Sequence, residues 1–247
     1  MDKLIKRVNE HRTIREFTDE KVSKENLDII FDSIMRTATS TGMQMASVIH
    51  ITDPKAKLEL SKVCNQEYVA RATELLVFIV DNYRNHRIMK DTNNFIEKES
   101  DGDTFFQGYT DAILMAQNAT TIIESMGMGA VYLGSILNDP EKVIEILNLP
   151  PLTFPVLGLG FGYPNQSPQL KPRLNKKYRI FENEYKVFDD YGEELKEYDQ
   201  EMTSYYDLRE GNRRSDSFFK QVVSKTKNPI PKRLKLIEYA KGNGFKL

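Results

Sequence analysis

The chain opens with apolar residues at helical spacing, Leu4, Ile5 and Val8, which predict a short helix ending near His11. Ser23 then stands as an N-cap before Leu27, Ile30, Phe31 and Ile34, which would share one face of a second helix. "ASVIHIT" (46–52) alternates like a strand, and Asp53-Pro54 starts a helix, because Asp caps and Pro is tolerated in the first turn. "ELLVFIVD" (74–81) is a continuous apolar run between polar residues, as expected of a central strand buried on both faces. A charged helix follows it, and then a weakly patterned loop around "EKESDGD".

Phe105 to Met126, rich in Ala, Met and Ile, predicts a long helix buried on most sides. "GAVYLGS" reads as a short strand opening into a loop, and Asp139-Pro140 caps a helix through Leu147. "FPVLGLGFGYP" (154–164) reads as a strand whose glycines imply close approach by another backbone or a ligand. From about Tyr191 the pattern is mainly helical and charged. Strands and helices interleave, with more helices than a parallel sheet needs for its crossovers. The expectation is therefore one α+β domain over residues 1–247, with a long, extended C-terminal portion.

Composition narrows the class more than the activity. An apolar share of 40% and a charged share of 29% suit a soluble globular protein. A net charge of −1 gives no global reason to expect nucleic acid or a membrane surface. The longest apolar run, "LLVFIV", is far too short for a bilayer, and "MDKLIKRVNE" carries no signal-peptide core. The single cysteine, Cys64, excludes an intrachain disulfide framework and suggests a reducing, cytoplasmic compartment. In a helical stretch it reads as a small buried hydrophobe.

Charge is unevenly placed. Glu182–Glu201 holds nine acids against two lysines, and Tyr205–Leu247 holds eleven Lys/Arg against four acids. These are either two solvated helical faces that attract each other or, at the basic end, a rim for a phosphorylated small molecule. His11, His50 and His86 are far apart with no ligand spacing, so no metal site is expected. There is no G-x-S-x-G elbow and no P-loop, and "GLGFG" lacks the helix-opening context of a dinucleotide fingerprint.

Anion binding is better supported. "HRTIRE" puts Arg12 and Arg15 three apart with the Thr13 hydroxyl between them and His11 alongside. Guanidiniums hold phosphate bidentately, and hydroxyls and backbone N–H groups complete such a cradle. "LKPRL" places Lys171 and Arg173 two apart around Pro172, on one side of an extended segment. Each cluster alone also reads as a solvated basic turn. The hydroxyl-rich loop "TATSTGMQ" (37–44) either caps and turns or hydrogen-bonds a polar heterocycle, and Gln66 reads in the same two ways.

Six segments in this order resemble the group A oxygen-insensitive NADPH nitroreductases and flavin reductases of bacteria. They are "HRTIREFTDE", "ATSTGMQMASVI", "AQNATTIIESMGMGAVYLGSI", "FPVLGLGFGYP", "LKPRL" and "YDLREGNRR", spanning about residues 4–225. The resemblance implies a nitroreductase-like α+β fold, with a central, mainly antiparallel sheet surrounded by helices. It also implies an intertwined homodimer with FMN in a groove at the interface, in which about 165–247 wraps the partner subunit.

The resemblance further implies site roles. His11, Arg12 and Thr13 would meet the FMN phosphate, with Lys171 and Arg173 as a second phosphate pair and Arg15 near flavin N1 and O2. Thr39, Ser40, Thr41 and Gln44 match the family's hydroxyl loop, and Gln66 its ring-edge amide. Tyr132, Leu133, Gly134 and Ser135 match the loop crossing the flavin toward N5. Arg209, with Arg213 or Arg214, matches the site for the NADPH 2′-phosphate. Thr13 keeps the hydroxyl of the family's usual Ser, and Gly42 stands where a bulky residue is common, which implies a wider acceptor pocket.

The implied activity is ping-pong. NADPH reduces FMN at N5, a step Arg15 favours electrostatically with no obligatory side-chain acid or base. A nitroaromatic, quinone or free flavin then takes the electrons. Two alternatives share the same groove: a non-catalytic flavin-binding or redox-sensing protein, and a reductase supplying reduced FMN to a partner monooxygenase.

Overall fold

Glu74–Asp81 forms β2, whose inner residues Leu75 to Val80 are all buried, as a two-sided apolar run requires. β1 (Ala46–His50) pairs along one edge and β4 (Thr153–Gly162) along the other, with β3 (Gly129–Leu133) beyond β4. All pairs are antiparallel, in the order β1-β2-β4-β3, so the expected α+β class with an antiparallel sheet is what the chain adopts. The computed structural model describes residues 3–95, 100–207 and 213–247.

Local chemistry explains the helix starts. α1 (Lys3–Asn9) leaves Leu4, Ile5 and Val8 exposed. α2 (Lys24–Met35) is capped by Ser23, whose side chain accepts the Asn26 N–H, and it buries Ile30 and Ile34. α3 (Pro54–Cys64) is capped by Asp53 and followed by the single turn α4 (Tyr68–Arg71) and, after β2, by α5 (Tyr83–Asp91). α6 (Gly102–Ser125) starts three residues earlier than its apolar pattern suggests, because the Asp101 carboxylate accepts the Thr104 N–H at 3.1 Å. It packs on the sheet through Phe105, Ala112, Ala116, Ala119 and Ile123, a 3.6-residue rhythm. After β3 a 3₁₀ turn (Gly134–Asn138) leads to α7 (Pro140–Ile146), capped by Asp139. Cys64 is 2% exposed and burial pushes its thiol pKa up, so it behaves as a core hydrophobe.

The chain divides into two compact units, 1–167 with 230–247 and 168–229. Residues 230–247 belong to the first unit. There a 3₁₀ turn (Pro231–Lys235) precedes a C-terminal helix (Leu236–Gly242). Asn243 Nδ2 donates to the carbonyls of Pro150 and Thr153, and the Phe245 ring packs edge-on to Phe105 at 4.9 Å. In the second unit, α8 (Tyr191–Glu194) and α9 (Lys196–Ser204) lead to the short pair β5 (Tyr206–Asp207) and β6 (Arg213–Arg214), then α10 (Phe218–Lys227). The helix after these, Leu236–Gly242, is α11. Asp199 ties α9 to α10 by accepting the Phe219 N–H at 2.8 Å. Among the described residues no helix is long and apolar enough to cross a membrane.

Gly129 opens β3 where another segment crosses it. A Cβ there would lie 2.4 Å from Ile14 Cγ1 and 2.7 Å from Ile14 Cβ. Gly129→Ala is expected to cost about 1–3 kcal/mol of stability by overpacking, read from urea midpoints. In an Ile14→Ala background the penalty should shrink, since the crowding γ-carbons are gone. Strictly additive costs would show that the two positions do not touch.

Candidate functional site

The arginine-bearing segment lies along the sheet as a partial fifth strand. Thr13 bridges Ala130 in parallel, Ile14 N–H donates to the Ala130 carbonyl at 2.9 Å, and Thr18 N–H to that of Tyr163 at 2.9 Å. Asn165 N–H returns a bond to the Glu16 carbonyl at 2.9 Å, and Gln166 Nε2 donates to that of Thr13 at 3.4 Å. Strand alternation buries Ile14 (7% exposed) and leaves Thr13 and Arg15 half-buried on the other side.

The charged groups of this segment differ in what they already hold. His11 Nδ1 donates to Glu124 Oε1 on α6 at 2.5 Å. Arg12 turns back to the Glu10 carbonyl at 2.9 Å. Arg15 carries its guanidinium 6.0 Å from the Tyr68 ring centroid, and its Nε is buried with no hydrogen-bond acceptor among the described residues.

Just before α4, Gln66 Oε1 accepts the Ser135 hydroxyl at 2.9 Å, which joins the α3–α4 link to the turn after β3. Arg233 donates to the Gly134 carbonyl at 2.7 Å, and Asn138 Nδ2 to that of Val63 at 3.4 Å, so the turn is tied on two sides. In front of Gly134 lies open space, since a Cβ there would meet nothing within 4 Å. Leu133 sends its side chain into the core and pairs with Gly158 of β4. The Tyr132 hydroxyl lies 3.1 Å from Gln117 Oε1 on α6, and burial pushes its phenol pKa up. His11 and Tyr132 thus meet α6, Thr13 and Ile14 meet β3, Arg15 lies near Tyr68, and Gln66 meets Ser135.

The hydroxyl loop is elsewhere on α6. Ser40 N–H donates to Asp111 Oδ1 at 2.7 Å, and Thr41 Oγ1 to Gln107 Oε1 at 3.0 Å. Arg84 donates to the Gln44 carbonyl, and Asn85 Nδ2 to that of Met43 at 3.1 Å. Thr39 and Gln44 line a cavity of about 270 Å³ with Arg84, Asp111 and Met115. From Asp111 to Glu124 the helix rises about 20 Å. Residues 107 and 111 also fall on a different face from 117 and 124, at about 100° per residue. Within one chain, the hydroxyl loop and the His11–Arg15 segment are therefore not brought together.

Lys171 and Arg173 belong to the second unit. Lys171 Nζ lies 5.8 Å from the Tyr205 ring centroid, and Arg173 donates to the carbonyls of Lys171 and Pro172 at 3.0 and 3.2 Å. Arg213 and Arg214 form β6, and Arg209 lies outside the described residues. Among the described residues no group of three or more His, Cys, Asp or Glu could hold a metal ion.

Asp111, Glu124, Arg84 and Arg233 escaped sequence reasoning. The one available signal was Asp111, an acid inside an otherwise apolar helical face; the others are exposed-looking charges until the fold pairs them.

A sequence model of the Nitroreductase family matches residues 8–163, and one of the Nitroreductase family, C-terminal domain, matches 171–247. The chain is 34% identical to an FMN reductase (NADPH) of Bacillus subtilis, over 99% of both chains. It is 33% identical to an oxygen-insensitive NADPH nitroreductase of Salmonella typhimurium, over 95% of both. The NADPH:FMN oxidoreductase from Vibrio harveyi complexed with NAD+ superposes with a TM-score of 0.87 at 29% identity, covering 99% of each chain. From near its first residue to its last, the chain belongs to the nitroreductase family.

Proposed function

We propose that this protein is an FMN-dependent oxidoreductase that takes reducing equivalents from NADPH and delivers them to nitroaromatics, quinones or free flavin. The observation that carries this reading is the buried Arg15 Nε, a donor with no acceptor among the described residues. Leaving such a group unpaired costs about 1–3 kcal/mol, more when charged, so this position suits a ligand that brings an acceptor edge. FMN fits it. Arg15 and the Gln66 amide would hold the polar edge of the ring, and the open face before Gly134 leaves room for a flat ring against backbone. His11, Arg12 and Thr13 would hold the phosphate, with Lys171 and Arg173 as the second pair.

When bound, FMN supplies hydride acceptance from NADPH and donation to a second substrate that binds after the nicotinamide has left, a ping-pong cycle. The chain supplies position and field. Arg15 places a fixed positive charge in a partly water-excluded wall, which favours the added electrons. The Ser135–Gln66 bond and the Arg233 tie keep the 134–138 turn from closing into the space the ring needs. Glu124 keeps the His11 imidazole oriented. Arg209, Arg213 and Arg214 are assigned to the NADPH 2′-phosphate. The names of the Bacillus and Vibrio relatives favour free flavin among the acceptors.

The active unit in this proposal is a homodimer. The hydroxyl loop lies too far along α6 to reach a flavin held by His11–Arg15 of its own chain, so Thr39, Ser40, Thr41 and Gln44 would complete the site of the partner subunit. An exposed apolar strip on α6, with Phe106, Ile113 and Leu114, and the exposed Leu4, Ile5 and Val8 of α1 give such a dimer a surface to bury.

The purified protein is expected to be yellow or to turn yellow with FMN, to bleach anaerobically with NADPH, and to recolour with a quinone or nitroaromatic. Protein that binds FMN but is bleached by neither pyridine nucleotide would remove the enzyme reading. Arg15→Ala is expected to keep the fold, weaken FMN affinity and lower the bound potential by about 30 mV or more, the equivalent of tenfold for two electrons. An unchanged potential would take Arg15 out of this role. Arg209→Ala should raise the KM for NADPH much more than that for NADH, and equal effects would show that it does not read the 2′-phosphate.

A further inference from the structure

α6 contains one fully buried acid that the proposed chemistry does not use. Asp111 has no solvent exposure. Its Oδ1 accepts the Ser40 N–H at 2.7 Å, and its Oδ2 accepts the Met45 N–H at 3.3 Å. These two donors are the ends of the loop 40–45. Between them Thr41, Gly42 and Gln44 take left-handed φ values of 52°, 73° and 53°. Two of the three are residues for which that region is unfavourable, so the loop does not hold this shape by local preference.

One turn earlier, on the same face of α6, stands Gly108. A Cβ there would lie 2.5 Å from the Met45 carbonyl oxygen. Glycine inside a helix lowers its stability relative to alanine, and this close approach accounts for its presence. Gly108 and Asp111 thus make a socket: a gap that admits the loop backbone and an acceptor pair that seizes its N–H groups. Only a carboxylate serves both donors, because an amide would turn an NH₂ toward one of them. The outer ties from Arg84, Asn85 and Gln107 are exposed and compete with water.

We propose that Asp111 is a positioning residue: by gripping both ends of loop 40–45 it holds Thr39, Ser40, Thr41 and Gln44 in the shape that meets the flavin, and so sets flavin affinity without touching it. This rests on the flavin reading above, and the test separates the two. In full-length, flavin-free protein, backbone amide exchange should show the loop protected in the wild type and exchanging at least tenfold faster in Asp111→Asn, with the change confined to the loop. Titration with FMN, followed by quenching of its fluorescence, should show affinity weakened about tenfold in the same variant. Ser61→Ala removes a buried polar group elsewhere, a hydroxyl bonded to the Leu58 carbonyl in α3, and should change neither readout.

If Asp111→Asn does not fold, Gly108→Ala, whose Cβ would meet the Met45 carbonyl at 2.5 Å and Val80 Cγ1 at 2.8 Å while keeping the carboxylate, is expected to give the same pair of changes. Wild-type loop exchange in the folded variant, or wild-type FMN affinity despite a loosened loop, overturns the proposal. Wild-type protein that protects its loop but binds no FMN sinks the flavin reading, and the exchange result then decides the anchoring alone.

Discussion

The backbone bond from Ile14 to Ala130 is the contact on which the candidate site depends. A stretch with His11, Arg12 and Arg15 in five residues would ordinarily stay in water, where its charges are best solvated. Seated along β3, it gains backbone partners at Ala130, Tyr163 and Asn165 and buries Ile14 between. The cost is taken up locally. Gly129 gives way to Ile14, and Arg15 is left with a buried nitrogen that nothing described in the chain satisfies. A buried donor left unpaired on an otherwise bonded segment is the group that the proposed flavin edge would satisfy.

α6 then separates two sets of candidate groups. One face receives the hydroxyl loop through Gln107 and Asp111, and another orients Tyr132 and His11 through Gln117 and Glu124. Because a helix is straight and rigid over this length, the two sets of groups cannot approach each other within a protomer. The proposed homodimer follows from that rigidity together with the apolar strip left exposed on the same helix.

The C-terminal portion has two fates. Residues 230–247 close the first unit: Asn243 donates to the carbonyls of Pro150 and Thr153, Phe245 packs edge-on to Phe105, and Arg233 steadies Gly134. Residues 168–229 form their own small unit, held by the Asp199 bond to α10 and by aromatic pairs such as Tyr198–Phe218. Charge asymmetry across residues 182–247 gave no hint of this division, since most of those side chains are exposed and say little about where a chain packs.

Much of the fold was legible in residue order because burial and capping are local: two-sided burial marks β2, a 3.6-residue rhythm marks α6, and Ser23, Asp53 and Asp139 each announce a helix by the N–H groups they can accept. The same locality made the crowded His11–Arg15 stretch conspicuous as an anion-seeking segment. Pairings between residues far apart in the chain were not legible, since Asp111 with Ser40 and Met45, Glu124 with His11, and Arg233 with Gly134 leave no periodic trace. Folding alone brings such groups within hydrogen-bond reach, and folding alone set the hydroxyl loop and the arginine segment about 20 Å apart along one rigid helix.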